Sequence, residues 1–271
     1  MCRLLTAAAA LAALSAQAPA PQAAPDVRIY RLDCGAATLP KNLFSDVHAY
    51  PDGSTVLLTS SCYLIRHGQD LLIWDTGFGR DTIGKPQGLR TPIEPQLAAL
   101  GVQPGQVQTV GLSHSHGDHT GQANAFPQAK LVIGAREYDA LFGENAFLGL
   151  ASPRLANWAD GRNVQKVSGD LDLYKDGSVI VLSLPGHTPG HLALQVRLKN
   201  AGYVLLSGDQ YHSRENRVKH GVPGFNYDRA QTLASSARLE ELVRNLNARL
   251  IIQHDPQDNA DAFPADSSYL N

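Results

Sequence analysis

Residues 112–121 read Leu-Ser-His-Ser-His-Gly-Asp-His-Thr-Gly, which puts three histidines and a carboxylate inside six positions. No other stretch restricts the fold as much, because it requires a strand to end in a loop built to hold metal. An apolar run at 108–112 leads into it as a strand would, and Thr120-Gly121-Gln122 follows as a helix start. Side chains two apart in an extended segment share a face, so His114 and His116 can grip one ion together. Past the bend at Gly117, Asp118 and His119 point elsewhere, which predicts a second ion nearby. A single His-x-His is ordinary in a solvated polar loop. The whole string is not, since neutral imidazole and carboxylate are the preferred ligands of zinc-like ions.

The chain has 271 residues, 43% of them hydrophobic, enough for one sizeable core and too few for two large domains. A net charge of -2 and the lack of any Lys/Arg run argue against a nucleic-acid partner and for a small, weakly charged substrate. Residues 1–24 carry an early arginine, an apolar stretch at 4–14 and small residues after it. That is the pattern of a signal peptide, too short in its apolar part to span a bilayer. The mature chain, expected from about residue 25 to 271 as one catalytic domain, is then periplasmic or secreted with no membrane anchor. Cys34 and Cys62 remain in an oxidising compartment, where a disulfide and two separate buried thiols are equally open readings. Neither has a metal-binding neighbour at ligand spacing.

Residues 27–33, 61–66 and 70–75 alternate as an opening antiparallel meander, closed by Asp75-Thr76-Gly77. Asp75 is expected to hydrogen-bond beneath the site and not to ligate. Residues 92–100 have helical spacing, as do 135–142 after a strand at 130–134; the stretch 143–163 has no clean period and reads as a surface excursion. Strands at 177–184, 192–198, 203–207 and 250–253 follow, with a helix at 232–246 before the last. His187, Asp209 and His254 each come just after such a strand, where rigid scaffolds present catalytic groups.

Through His114-Ser-His116-Gly-Asp118-His119, Gly186-His187-Thr-Pro-Gly-His191, Ser-Gly-Asp209 and Gln-His254-Asp, the chain resembles the metallo-β-lactamase fold superfamily over about residues 27–256. The resemblance implies an α/β fold, an αββα sandwich, with two zinc ions at one edge. It assigns His114, His116 and His187 to the first metal, Asp118, His119 and His254 to the second, and Asp209 to both. Two such ions need a shared anionic ligand and can hold a bridging hydroxide near neutral pH. His191 has no place in this set; a supporting hydrogen bond and simple loop packing are both open to it. His48, His67 and His220 read as surface or rim residues.

Within the superfamily, Asp209 stands where β-lactamases proper carry cysteine or serine. The run Ser207-Gly-Asp-Gln-Tyr-His-Ser-Arg-Glu-Asn216 looks most like N-acyl-homoserine lactonases, so the resemblance implies lactone opening by the hydroxide, with Asp118 passing a proton to the ring alkoxide. Hydrolysis of other esters, of thioesters in the glyoxalase II manner, or of organophosphates would use the same constellation. A non-catalytic secreted zinc protein needs only four ligands and no open position. In the lactonases a tyrosine three residues after the bridging aspartate donates to the lactone carbonyl. Here that position is His212, with Tyr211 one residue earlier; the register is anchored by Glu215-Asn216. Imidazole and phenol can each donate, which makes both His212 and Tyr211 catalytic candidates; adjacent residues of an extended segment face opposite ways, so His212 is the expected donor and Tyr211 a packed residue. Phe142, Phe147, Leu148, Val222 and Phe225 are candidates to line an acyl tail. A homodimer is compatible with these features, and none requires it.

Overall fold

The meander expected over residues 27–75 forms β1 (Val27–Pro40), β2 (Thr55–His67) and β3 (Asp70–Trp74), paired antiparallel in that order. The structure is a computed structural model that describes residues 26–144, 146–147, 149–264 and 269–271, so the segment 1–24, expected to be a signal peptide, and Leu148 lie outside the described residues. Both long strands outrun the alternating stretches that announced them. A register shift between Asp33 and Ala36 lets β1 continue after its alternation breaks, as a bulge does.

From α1 (Ile93–Ala99) onward the chain winds β4 (Thr109–Gly111), α2 (Gly117–Thr120), β5 (Lys130–Gly134), α3 (Ala135–Phe142) and β6 (Val164–Val167). β3 to β6 are mutually parallel, completing a six-stranded sheet in chain order. The second sheet holds β7 (Leu171–Asp172), β8 (Val179–Ser183), β9 (Leu192–Leu198) and β10 (Gly202–Leu206) as an antiparallel set. After α4 (Arg214–Val218) and α5 (Arg229–Asn245), β11 (Arg249–Ile251) adds parallel to β10, and α6 (Pro256–Ala262) follows. α5 starts three residues before the expected 232 because Asp228 caps it, accepting from Gln231 N at 2.9 Å.

Three apolar clusters define the layers. In β3, Leu71 and Ile73 join Ile93 and Leu97 on the helix side, while Leu72 and Trp74 join Val181 and Leu194 between the sheets. An unbroken apolar run is what a strand covered on both faces requires. Leu182, Leu184 and Leu205 pack with Leu239 of α5 on the outer face of the second sheet. The result is the αββα sandwich. The 143–163 excursion contains a 3-10 run, Gly149–Trp158, that buries Leu155 and Trp158 in the helix-side core. Cys34 and Cys62, whose pairing the sequence left open, are bonded across β1 and β2 with Cα atoms 5.8 Å apart.

This topology concentrates chemistry at one edge. β8 and β10 both run antiparallel to β9, hence parallel to each other, and β3 and β4 are parallel. Their C-terminal ends, with that of β11, deliver Asp75, residues 114–119, His187, Asp209 and His254 to the same rim.

Candidate metal centre

Two groups of donor atoms converge at that rim: His114, His116, His187 and Asp209 in one, Asp118, His119 and His254 in the other, each set within 4.8 Å of one another. Asp209 joins them. Its Oδ2 lies 3.5 Å from His114 Nε2 and 3.2 Å from His187 Nε2. Its Oδ1 lies 3.1 Å from His119 Nε2 and 2.9 Å from His254 Nε2. Asp118 Oδ2 reaches the second group, 3.6 Å from His254 Nε2 and 3.9 Å from His119 Nε2.

The far sides of these rings show which nitrogens are free. Asp75, at φ 58°, sits beneath them; its Oδ1 accepts Ser113 N at 2.7 Å. Its Oδ2 accepts the Ser113 hydroxyl at 2.8 Å, His119 Nδ1 at 2.9 Å and Gln253 Nε2 at 2.9 Å. With its proton given to Asp75, Ser113 Oγ is left to accept from His114 Nδ1 at 3.0 Å. His254 Nδ1 donates to Thr59 O at 2.7 Å. These bonds turn bare Nε2 lone pairs inward, as supporting bonds to metal-ligating imidazoles do.

The inward geometry then calls for cations. His119 Nε2 and His254 Nε2 face each other at 3.1 Å, and His116 Nδ1 stands 2.9 Å from His114 Nε2 and 3.1 Å from His187 Nε2. Lone pair against lone pair is repulsive unless a cation or proton lies between. Nitrogens bound to a tetrahedral zinc at its usual bond length would be about 3.3 Å apart. The donor set, nitrogen and carboxylate oxygen with one shared carboxylate, fits a pair of divalent ions.

Electrostatics agrees. Burial pushes His114 well down, His116 to about 4 and His187 down, so the first three imidazoles are neutral and ready to ligate. Burial also opposes ionisation of Asp209, but His254, His119 and His114 outweigh it and hold the carboxyl well below its usual range. His119 is buried too, yet Asp209, Asp75 and Asp118 raise it. Without metal the second group therefore holds a proton that a cation would displace.

Asp209 depends on two residues for its position. It follows β10 in a tight turn, Gly208–Gln210, where Gly208 has φ 53° and a Cβ would come within 2.5 Å of His191 Nε2. His191 Nδ1 donates to Leu184 O at 3.0 Å, leaving Nε2 to accept Asp209 N at 2.9 Å. Burial takes His191 down to about 3, which keeps that acceptor unprotonated. Of its two open roles, support of a ligand is the one the structure displays.

The segment after Asp209 is extended at Tyr211, and the two neighbours diverge. His212 turns inward, its Nε2 3.2 Å from Asp209 Oδ2 and its ring 4.5 Å from that of Phe44. Tyr211, named above among the catalytic candidates, is removed from the centre. It packs with Leu182 and Leu239 on the outer side of the second sheet and donates to Glu240 Oε1 at 2.9 Å. Of the acyl-tail candidates, Phe225 stands at the mouth, 5.8 Å from the His187 ring and 6.0 Å from that of His116. Phe142 instead packs against the helix-side core, and Val222 is buried beside the 41–50 loop, taking a bond from Asp46 N. Phe147 stacks on Tyr227 and lines a cleft of about 490 Å³ beside the centre.

Sequence reasoning missed Glu137. Fully buried on α3, it accepts Ser115 N at 2.8 Å and Gly190 N at 3.0 Å, clamping the 113–116 and 186–191 loops together. It also passed over Ser113 and Gln253, the other partners of Asp75.

The N-acyl homoserine lactonase AttM of Azorhizobium caulinodans is 29% identical over 258 residues, covering 89% of this chain and 96% of that protein. The N-acyl homoserine lactonase AiiA of Bacillus thuringiensis subsp. kurstaki is 26% identical over 245 residues, 84% of this chain and 93% of that one. A crystal structure of a quorum-quenching N-acyl homoserine lactone lactonase shares the fold, with a TM-score of 0.76 at 24% identity over 90% of this chain and 98% of that one. Residues 55–254 match the metallo-beta-lactamase superfamily, a span holding Asp75 and all seven converging side chains, and the chain belongs to that superfamily.

Proposed function

We propose that this chain is a dinuclear metal-dependent hydrolase that opens the lactone ring of N-acyl homoserine lactones. The observation that carries it is likeness over nearly the full length of a named N-acyl homoserine lactonase, joined to a complete two-group donor set. His114, His116 and His187 would hold one zinc, Asp118, His119 and His254 the other, and Asp209 both. Bound there, such a pair supplies Lewis acidity and activates water near neutral pH.

The protein's own groups do the rest. Burial lowers His212, so its ring is neutral and carries one N–H, and the nitrogen that faces the centre is Nε2, 3.2 Å from Asp209 Oδ2. We assign it to donate to the lactone carbonyl oxygen as negative charge develops there. Water oxygen bonds to the carbonyl carbon, the ring C–O bond breaks, and the water's proton passes to the departing alkoxide. Asp118, partly exposed and reaching the second group through one oxygen, is the carrier of that proton. Phe225 offers an apolar surface to the acyl chain.

Export to the periplasm or outside the cell belongs to the same reading. It is supported by the leader-like residues 1–24 and by the Cys34–Cys62 bond, which persists in oxidising compartments. N-terminal sequencing from the native host should begin between residues 16 and 26. The function is tested by kinetics of purified, metal-loaded protein on homoserine lactones of several chain lengths, thioesters and phosphotriesters. The homoserine lactones should have the highest kcat/KM; preference for either other class would refute the assignment.

A further inference from the structure

His116 and Asp118 are the two ligand side chains that keep contact with solvent, with Gly117 between them; His114, His119, His187, Asp209 and His254 are buried. A substrate therefore meets the centre across residues 116–118. A Cβ on Gly117 would stand 3.2 Å from Arg154 Nη1, 3.7 Å from its Cζ and 3.8 Å from its Nη2, so the guanidinium lies against this residue. Nη1 is the nearest of the three atoms, so the guanidinium approaches the glycine by one edge. A cation thus stands beside residue 117, which links His116 of one ligand group to Asp118 of the other.

Arg154 has no acceptor among the described residues. Two carboxylates of the flanking segments pair with other cations, Asp160 with Arg162 and Asp139 with Lys166. An unpaired surface arginine is ordinary when its backbone is loose. Here the next residue, Leu155, and Trp158 are buried, and Trp158 Nε1 donates to Ala129 O at 2.8 Å. Half-buried Arg154 thus has a fixed backbone station beside residue 117 and a guanidinium with no acceptor among the described residues.

We infer that Arg154 is a specificity-determining residue, donating to a second carbonyl oxygen of the substrate, that of an amide attached to the lactone ring. The inference rests on the hydrolytic reading above. His212 and the metal pair account for the ring carbonyl, and Phe225 offers apolar surface for the chain. The amide between ring and chain is the polar group still without a partner. An amide oxygen suits a guanidinium with no acceptor among the described residues, and the fork rejects lactones that leave it unpaired.

The test compares N-hexanoyl homoserine lactone with γ-hexalactone, which has the same five-membered ring and no amide. The parent's preference for the amide-bearing lactone, as a ratio of kcat/KM values, should fall about 10- to 100-fold in Arg154→Leu, the range for losing a hydrogen bond to a charged group. Arg154→Lys should fall between. Calorimetric affinity for N-hexanoyl homoserine should weaken in Arg154→Leu while metal content by elemental analysis stays that of the parent. An unchanged ratio, or equal losses on both lactones, would overturn the inference. A parent that opens neither lactone would instead overturn the hydrolytic reading, and this inference with it.

Discussion

Asp75→Asn isolates the floor of the metal centre. The backbone tolerates it, since asparagine is among the residues most at home at the left-handed φ of 58° found there. The side chain does not. Asp75 accepts four donors, Ser113 N on Oδ1 and Ser113 Oγ, His119 Nδ1 and Gln253 Nε2 on Oδ2. An asparagine keeps most of them by placing its oxygen at the Oδ2 position, which sets its NH2 against the Ser113 N–H, donor to donor. One charge-assisted bond is lost and a buried amide is orphaned, for about 2–3 kcal/mol. For a domain of this size that lowers the Tm of metal-free protein by about 4–12 °C. His119 also loses its carboxylate partner, so affinity at the Asp118, His119 and His254 group should fall about 10- to 100-fold, and less at the other group. Calorimetry of metal-free protein gives the first number, and elemental analysis after dialysis against graded chelator gives the second. A Tm within about 1 °C of the parent together with parental retention of both ions would refute the reasoning.

Other perturbations separate neighbouring roles. His212→Phe should slow lactone opening by about 10²-fold or more with metal content intact, whereas Tyr211→Phe, which loses only its bond to Glu240, should do much less; a slower Tyr211→Phe would reverse the assignment. His191 carries a pH signature. Its folded pKa of about 3 lies below the unfolded imidazole value, so its neutral form stabilises the fold above the unfolded value, and that contribution is lost as pH falls toward 3. The stability gap between parent and His191→Gln in denaturant should narrow by about 1.4 kcal/mol per pH unit below pH 6.5. A gap equal at pH 7 and pH 5 would show that His191 is not buried neutral.

What could be read in advance was whatever chemistry is local in the chain. The 114–119 string announces itself through spacing inside one loop, and His187, Asp209 and His254 are visible because each follows an apolar strand. The divergence of Tyr211 and His212 follows from extended-chain alternation alone. Glu137 was illegible for the opposite reason. In the sequence it is one charge on a short amphipathic helix, and its partners Ser115 and Gly190 lie 22 and 53 residues away. The same distance hid Gln253, 178 residues from Asp75. Arg154 could not be placed because its segment has no period, and its position follows from the burial of Leu155 and Trp158. Short elements such as β7 and α4 escaped because two to five residues carry too little pattern to register.

The claim that binds these observations together is that the two donor groups act as one dinuclear hydrolytic centre. Metal-free protein titrated with zinc, while ring opening of N-hexanoyl homoserine lactone is followed by proton release, tests it directly. The rate should rise to a plateau at about two ions per chain, as a two-metal site requires, and chelation should abolish it. A plateau at one ion, ring opening that survives chelation, or no ring opening with both ions bound would contradict it.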